Sequence, residues 1–473
     1  MAATMEIPYW VLLLVLAFAA IAALDRVLVP SVRWFFRRRM ERAVAELNKR
    51  LERPIQPFKL MRRQDMIVRL IYDPKVMEAV VAYSHEEGVP ESVAFQQARA
   101  YAREIVPSFS AAAYFGFAIR VARWLSRSLY HVRLGQYDEA AIRAIDRKAA
   151  VVFVMNHRSN MDYVLVTWLA AERSALSYAV GEWARVWPLQ SLIRAMGAYF
   201  IRRRYSNTLY RRVLERYVQM AVHEGVTQAI FPEGGLSLDG RVGRPRRGLL
   251  QYIMGGFDPD DGRDVVFIPV AINYDRVLED RMLVQAARSG ARRFPVRMRD
   301  AFAYAGKHIW QRVTGRFRRF GYAAVSFGAP VSLEDTLRAE SDMSAERLAD
   351  RLMARVRSAV PVLPVPLVAA VLQEAGGPIA RADLQARAEA LVARFAAQGS
   401  HVHLPDGATE GAVQAGLEAL AIRRLIAEEN ATVRVLPEHA DAVAYYANSI
   451  SHLIAEDAVA PLIRDDAAAP QET

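Results

Sequence analysis

The sequence predicts an α/β fold with a mostly parallel central sheet flanked by helices. A helical N-terminal region with a membrane anchor precedes it, and a mainly helical C-terminal unit follows. Three observations predict this. From about residue 148, short apolar runs rich in β-branched residues alternate with stretches of helical period, the pattern of strands joined by helices. Residues 7–24 are an almost unbroken apolar run. Beyond the Pro-rich junction Pro361–Pro366, the apolar spacing is helical again.

The run Ile7–Leu24 opens on Tyr9 and Trp10 and is followed by Arg33, Arg37, Arg38, Arg39 and Arg42. Eighteen residues at 1.5 Å each just reach across a hydrocarbon core of roughly 30 Å. Aromatic residues at one end and arginines at the other place the rest of the chain on the cytoplasmic face. A cleaved signal peptide fits poorly, because no positive charge precedes the run. The expectation is a single N-terminal anchor over 1–30, in a bacterial inner membrane.

Residues 31–135 read as helices, broken near Pro54–Pro57, Pro74 and Gly88–Pro90. Val106–Tyr130 carries Phe109, Ala113 and Phe117, then Arg120, Arg123 and Arg127, at helical spacing. Such a helix suits either a head-group plane or ordinary packing. The expected strands of the α/β unit, 136–360, are Val151–Met155, Ser177–Val180, Tyr199–Ile201, Thr227–Phe231, Val265–Ile272 and Ala323–Phe327, with a helix over Asn207–His223. In the C-terminal unit, 367–473, Arg381–Gln398 and Thr409–Glu429 read as helices and Ala431–Leu436 as a strand. That is the outline of a winged helix, but too few arginines stand on it for nucleic-acid binding.

Composition narrows the chemistry. The 473 residues carry 62 Lys and Arg against 51 Asp and Glu, a net charge of +11, which suits anionic partners such as phosphorylated metabolites, coenzyme A or anionic lipid. Cysteine is absent, so thiol nucleophiles, disulfides and zinc–thiolate sites are excluded. No Walker A run, GxGxxG or HExxH is present.

Four runs sit at the ends of expected strands, where α/β sheets place their chemistry. The first is Asn156-His157-Arg158-Ser159-Asn160-Met161-Asp162, an H-x4-D in which Asp162 can turn back to orient His157 as a base. Alone, such a run is more often a loop histidine beside a helix-capping aspartate. The second is Gly197 to Arg204, ending in Arg202, Arg203 and Arg204, forks suited to phosphate. The third is Phe231-Pro232-Glu233-Gly234-Gly235-Leu236-Ser237, whose glycines let backbone amides approach a ligand. The fourth, Ile268 to Tyr274, is otherwise a plain core strand.

In this order and at these separations, NHRSNMD, GAYFIRR, FPEGGLS and IPVAINY resemble the four blocks of the glycerolipid acyltransferase family over about residues 150–280. The wording, with Ala444 to His452 near the C-terminus, is most similar to the glycerol-3-phosphate and dihydroxyacetone-phosphate O-acyltransferase branch. The resemblance implies transfer of a fatty acyl group from acyl-CoA or acyl carrier protein to the sn-1 hydroxyl of glycerol 3-phosphate. Dihydroxyacetone phosphate and lysophosphatidate are the alternative acceptors. It implies His157 and Asp162 as the catalytic pair, Arg202, Arg203 and Arg241 on the acceptor phosphate, and Glu233, Gly234, Gly235 and Ser237 in the acceptor and oxyanion loop. It implies no metal and no cofactor. Leu236 and Leu238 stand where that branch usually has arginine. The rival G-x-S-x-G reading of Gly235 to Asp239 lacks its last glycine.

Overall fold

The computed structural model describes residues 8–24, 29–170, 174–181, 189–202, 207–290 and 319–455. The chain divides into two compact units, residues 1–54 with 172–174, and residues 55–171 with 175–473.

In the first unit the apolar run forms the helix Tyr9–Ala23, and a second helix spans Val29–Arg50. Its apolar side chains are exposed, Tyr9 by 86% and Phe18 by 68%. Fifteen residues rise about 22 Å, short of a hydrocarbon core of roughly 30 Å. No helix among the described residues is long and apolar enough to cross a membrane. The transmembrane anchor expected from this run is therefore not supported.

The second unit is built on a sheet of eight strands. They are β1 (His131–Tyr137), β2 (Ala150–Met155), β3 (Ser177–Val180), β4 (Tyr199–Phe200), β5 (Gln228–Ile230), β6 (Val265–Tyr274), β7 (Tyr322–Phe327) and β8 (Val331–Ser332). The order is β1-β7-β6-β2-β5-β3-β4, with β8 also on β6. From β6 to β4 every pair is parallel. β7 joins β6 antiparallel, and β1 runs parallel to β7. Every residue of β2 and β6 is buried, as unbroken apolar strands in a covered parallel sheet must be.

All six expected strands form, within two residues at each end. β1 was not expected, since residues up to 135 read as helical. It is half exposed and carries the polar run His131 to Tyr137, so its apolar period is faint. Beyond the sheet, Pro364–Ala375, Arg381–Ala397 and Thr409–Ile422 are helices, and a three-stranded sheet has the order β10 (Ile426–Glu429), β11 (Thr432–Val435), β9 (Ile379–Ala380). The helix expected to run to Glu429 ends at Ile422, before β10 begins.

Strand register places the site. Val154 pairs with Ile230 on one side, and Met155 with Val270 on the other. The loops after β2 and β5 thus leave adjacent parallel strands, and β6 runs past both. Asn156 continues the ladder with its side chain: its Nδ2 donates to Ile272 O at 2.9 Å and its Oδ1 accepts from Ile272 N at 2.8 Å.

Candidate active site

The loop after β2 turns straight into the helix Met161–Leu169, and that short turn brings His157 and Asp162 together. His157 is 2% exposed and Asp162 fully buried. His157 Nδ1 lies 2.9 Å from Asp162 Oδ2. The carboxylate can only accept, so Nδ1 carries the proton and the Nε2 lone pair is left for a substrate. Nε2 has no hydrogen bond among the described residues. Asp162 is held from four directions: Arg158 N and Ser159 N donate to Oδ2 at 2.7 and 3.0 Å, and the Tyr274 hydroxyl donates to Oδ1 at 2.7 Å. Phe231 stacks on the imidazole, with ring centres 4.0 Å apart.

Two glutamates hold the loop from outside. Glu233 accepts from His157 N and from Gly243 N, both at 2.9 Å. It fastens the loop after β2 to the chain that follows its own turn. Burial pushes its carboxyl up to about 7, against the pull of those two amides. Glu279 accepts from the Ser159 hydroxyl at 2.7 Å and from Asn160 N and Nδ2 at 3.2 and 3.0 Å. Its carboxyl is raised by burial too. Met161 N donates to Ser159 Oγ at 3.1 Å. Every backbone amide from His157 to Asp162 is thereby engaged, the last on Ser159 O. None is open to an oxyanion.

The loop after β5 is arranged differently. Gly234 has φ +71°, a conformation that glycine adopts without cost. Its amide donates to Phe231 O, while the Gly235 and Leu236 amides have no partner among the described residues. Ser237 is buried, but its hydroxyl serves the loop itself, donating to Arg241 O at 2.7 Å and accepting from Gly240 N at 3.1 Å. Among the described residues no histidine stands on it, so the hydrolase elbow finds no base among them. Arg241 is exposed. Leu236 and Leu238 pack half-buried against the core.

A cavity of about 220 Å³ lies beside Phe231, with Arg202 and Arg246 among its walls and apolar side chains such as Leu214 and Leu249. The Arg202 fork is held by Glu104, at 2.8 and 2.7 Å. Arg203 lies outside the described residues. Among the described residues, no three His, Asp or Glu side chains converge as metal ligands.

The structure adds residues that sequence reasoning did not single out. Tyr274 closes the fourth run, yet that strand read as core. Glu279 stands five residues beyond it with no pattern around it. Arg158 is 1% exposed. It donates to Gly240 O and lies 4.8 Å over the Tyr445 ring, while Nε and Nη2 have no partner among the described residues. Gly240 is required there, because a Cβ would stand 1.8 Å from Tyr445 O.

Residues 137–273 match the family model for acyltransferases. Residues 312–467 match the model for the glycerol-3-phosphate acyltransferase C-terminal region. The chain is similar to acyltransferases over these two stretches. Curated relatives named glycerol-3-phosphate acyltransferase, from Ectopseudomonas mendocina and Pseudomonas fluorescens, are each 28% identical over 83% of this chain. The chain spans about half of their length, 49% in both cases. A solved 1-acyl-sn-glycerophosphate acyltransferase from Thermotoga maritima aligns over 62% of this chain and 98% of its own, at 20% identity and a TM-score of 0.29, a likeness too loose to place any residue.

Proposed function

We propose that this chain transfers a fatty acyl group from acyl-CoA or acyl carrier protein to the sn-1 hydroxyl of glycerol 3-phosphate, giving lysophosphatidate at an anionic membrane surface. The observation that carries the proposal is the buried His157–Asp162 pair, in which Nδ1 faces the carboxylate and Nε2 has no hydrogen bond among the described residues. His157 Nε2 takes the hydroxyl proton as that oxygen attacks the thioester carbonyl. The carbonyl π pair moves onto oxygen, then returns as the C–S bond breaks. The thiolate leaves and recovers the proton from His157. Asp162 stabilises the imidazolium between these steps.

The Gly235 and Leu236 amides are the natural oxyanion donors, since the amides of the His157 loop are engaged. Arg241, and Arg202 on exchanging its contact with Glu104, hold the acceptor phosphate and thereby the hydroxyl; Arg203 has the same role in this reading. Glu233 and Ser237 shape the acceptor loop through the bonds described above. The names of the relatives favour glycerol 3-phosphate over dihydroxyacetone phosphate or lysophosphatidate as acceptor.

The test is an acceptor panel on the full chain in detergent. Long-chain acyl-CoA or acyl carrier protein is offered with each of the three acceptors, beside His157→Ala. The expected outcome is turnover with glycerol 3-phosphate that falls at least a thousandfold in His157→Ala, while the chain stays folded. Turnover confined to lysophosphatidate would move the protein to the second acylation. No turnover with any donor and acceptor would sink the proposal.

A further inference from the structure

The helix Ile119–Leu129 continues a π-helical turn, Ala112–Ala118, and has two unlike faces. Ala118, Ala122 and Ser126, four residues apart, are buried. Through this low face the helix packs against Met161–Leu169, the helix that carries Asp162. Arg127 reaches across to lie 5.3 Å over the Trp168 ring.

The other face carries Phe117, Val121 and Trp124 at helical spacing, exposed by 54%, 39% and 57%. Three large apolar side chains in a row do not stay in water without a reason. Arg120, Arg123 and Arg127 flank them, and Arg319 joins the same concavity of about 460 Å³ from elsewhere in the chain. From Ile105 to Tyr137 the sequence has no Asp or Glu. A protein partner would be expected to meet some balance of charge here. An apolar stripe bordered by these cations suits the boundary between acyl chains and anionic head groups.

We infer that the face of Phe117, Val121 and Trp124 is where the second unit docks on an anionic lipid surface. Docking there seats the lipid surface directly behind the helix of the catalytic pair. The inference rests on the proposed lipid chemistry for its purpose, but its test does not need turnover.

The chain has no cysteine, so a single introduced one takes an environment-sensitive fluorophore cleanly. Val121→Cys and, as a control, Ile422→Cys at another exposed apolar position are labelled in the full chain. The probes are vesicles of phosphatidylcholine alone and with one-third phosphatidylglycerol. Position 121 is expected to shift to the blue and to be quenched by a lipid-borne quencher, only with the anionic vesicles and less so in high salt. Position 422 is expected to stay unchanged. Neutralising Arg120, Arg123 and Arg127 together with Gln should lower the vesicle-dependent signal at 121 at least about tenfold.

A silent probe at 121 while the protein still sediments with vesicles would overturn the inference. So would a blue shift without vesicles that grows with protein concentration, which would assign the face to a second copy. Acyl transfer is measured on the same samples with micellar donor. Transfer without docking sinks only this inference, and docking without transfer sinks only the proposed reaction.

Discussion

The loop after β2 and the loop after β5 leave neighbouring parallel strands, yet they are built on opposite principles. In the first, each amide from His157 to Asp162 ends on an oxygen of Asp162, Glu233, Glu279 or Ser159. In the second, the Gly235 and Leu236 amides have no partner among the described residues and Arg241 is exposed. In the reaction proposed above, His157 as base must hold one orientation, whereas an acceptor loop must take hold of a ligand and release it. The first loop therefore spends its hydrogen-bonding capacity on itself, and the second keeps some back.

The largest effect on this contrast is expected from Asp162→Asn. It removes the charge on which His157, Arg158, Ser159 and Tyr274 converge and permits the wrong imidazole tautomer. We expect kcat to fall by roughly 10³–10⁴ and stability to fall by about 3 kcal/mol, read by single-turnover kinetics and chemical denaturation. An active, stable variant would mean that the first loop does not depend on its carboxylate.

Tyr274→Phe removes a single hydrogen bond from the same group. It should cost about 1.5–3 kcal/mol of stability and about tenfold in kcat, with KM unchanged. A change in KM instead would move Tyr274 to the acceptor.

Glu233 joins the two loops, and its test is the pH dependence of stability. Its carboxyl is raised from 4.5 to about 7, so between those values the native state holds a proton that the unfolded state has released. Stability from this group is present below about 4.5 and is lost as pH rises towards 7. Glu233→Gln should flatten that part of the thermal midpoint against pH. Asp275, also pushed up to about 7 by burial, leaves a residual slope of the same sign. An unchanged profile would remove Glu233 as its source.

The smallest structural effect belongs to Arg241→Ala. An exposed side chain should change stability by no more than about 0.5 kcal/mol, while KM for the acceptor rises several-fold and kcat stays close to wild type. A fall in kcat alone would assign Arg241 to the reaction instead.

Much of this was legible in the sequence, because the signals were local. A strand followed at once by H-x4-D forces a short turn, and the turn itself brings His157 to Asp162. The buried strands β2 and β6 declare themselves by unbroken apolar runs. What escaped depends on distance or on weak amphipathicity. Glu279 meets Ser159 and Asn160 across about 120 residues, and a lone glutamate has no period to betray it. β1 is an edge strand half in solvent, so its sequence need not look like a strand. The run at residues 7–24 has the hydropathy of a span, but the helix it forms ends at Ala23, and hydropathy alone does not fix where a helix stops.

The seam between the sheet and the C-terminal residues bears on how the protein is made. Asn273 Nδ2 donates to Pro361 O and Ser449 Oγ, Asp275 accepts from Val365 N, and the Tyr446 hydroxyl donates to Asp280. Tyr445 covers Arg158 inside the H-x4-D loop itself. On a ribosome the strands and the His157–Asp162 pair emerge first, but their surroundings are completed by residues made nearly 300 positions after His157. Until then the chain carries a buried-type arginine and several strand-end polar groups without their cover. Arrival of the segment around Tyr445 and Tyr446, rather than sheet formation, is the event that finishes these surroundings, and a nascent chain stalled near the Pro361–Pro366 junction would expose this surface to chaperones.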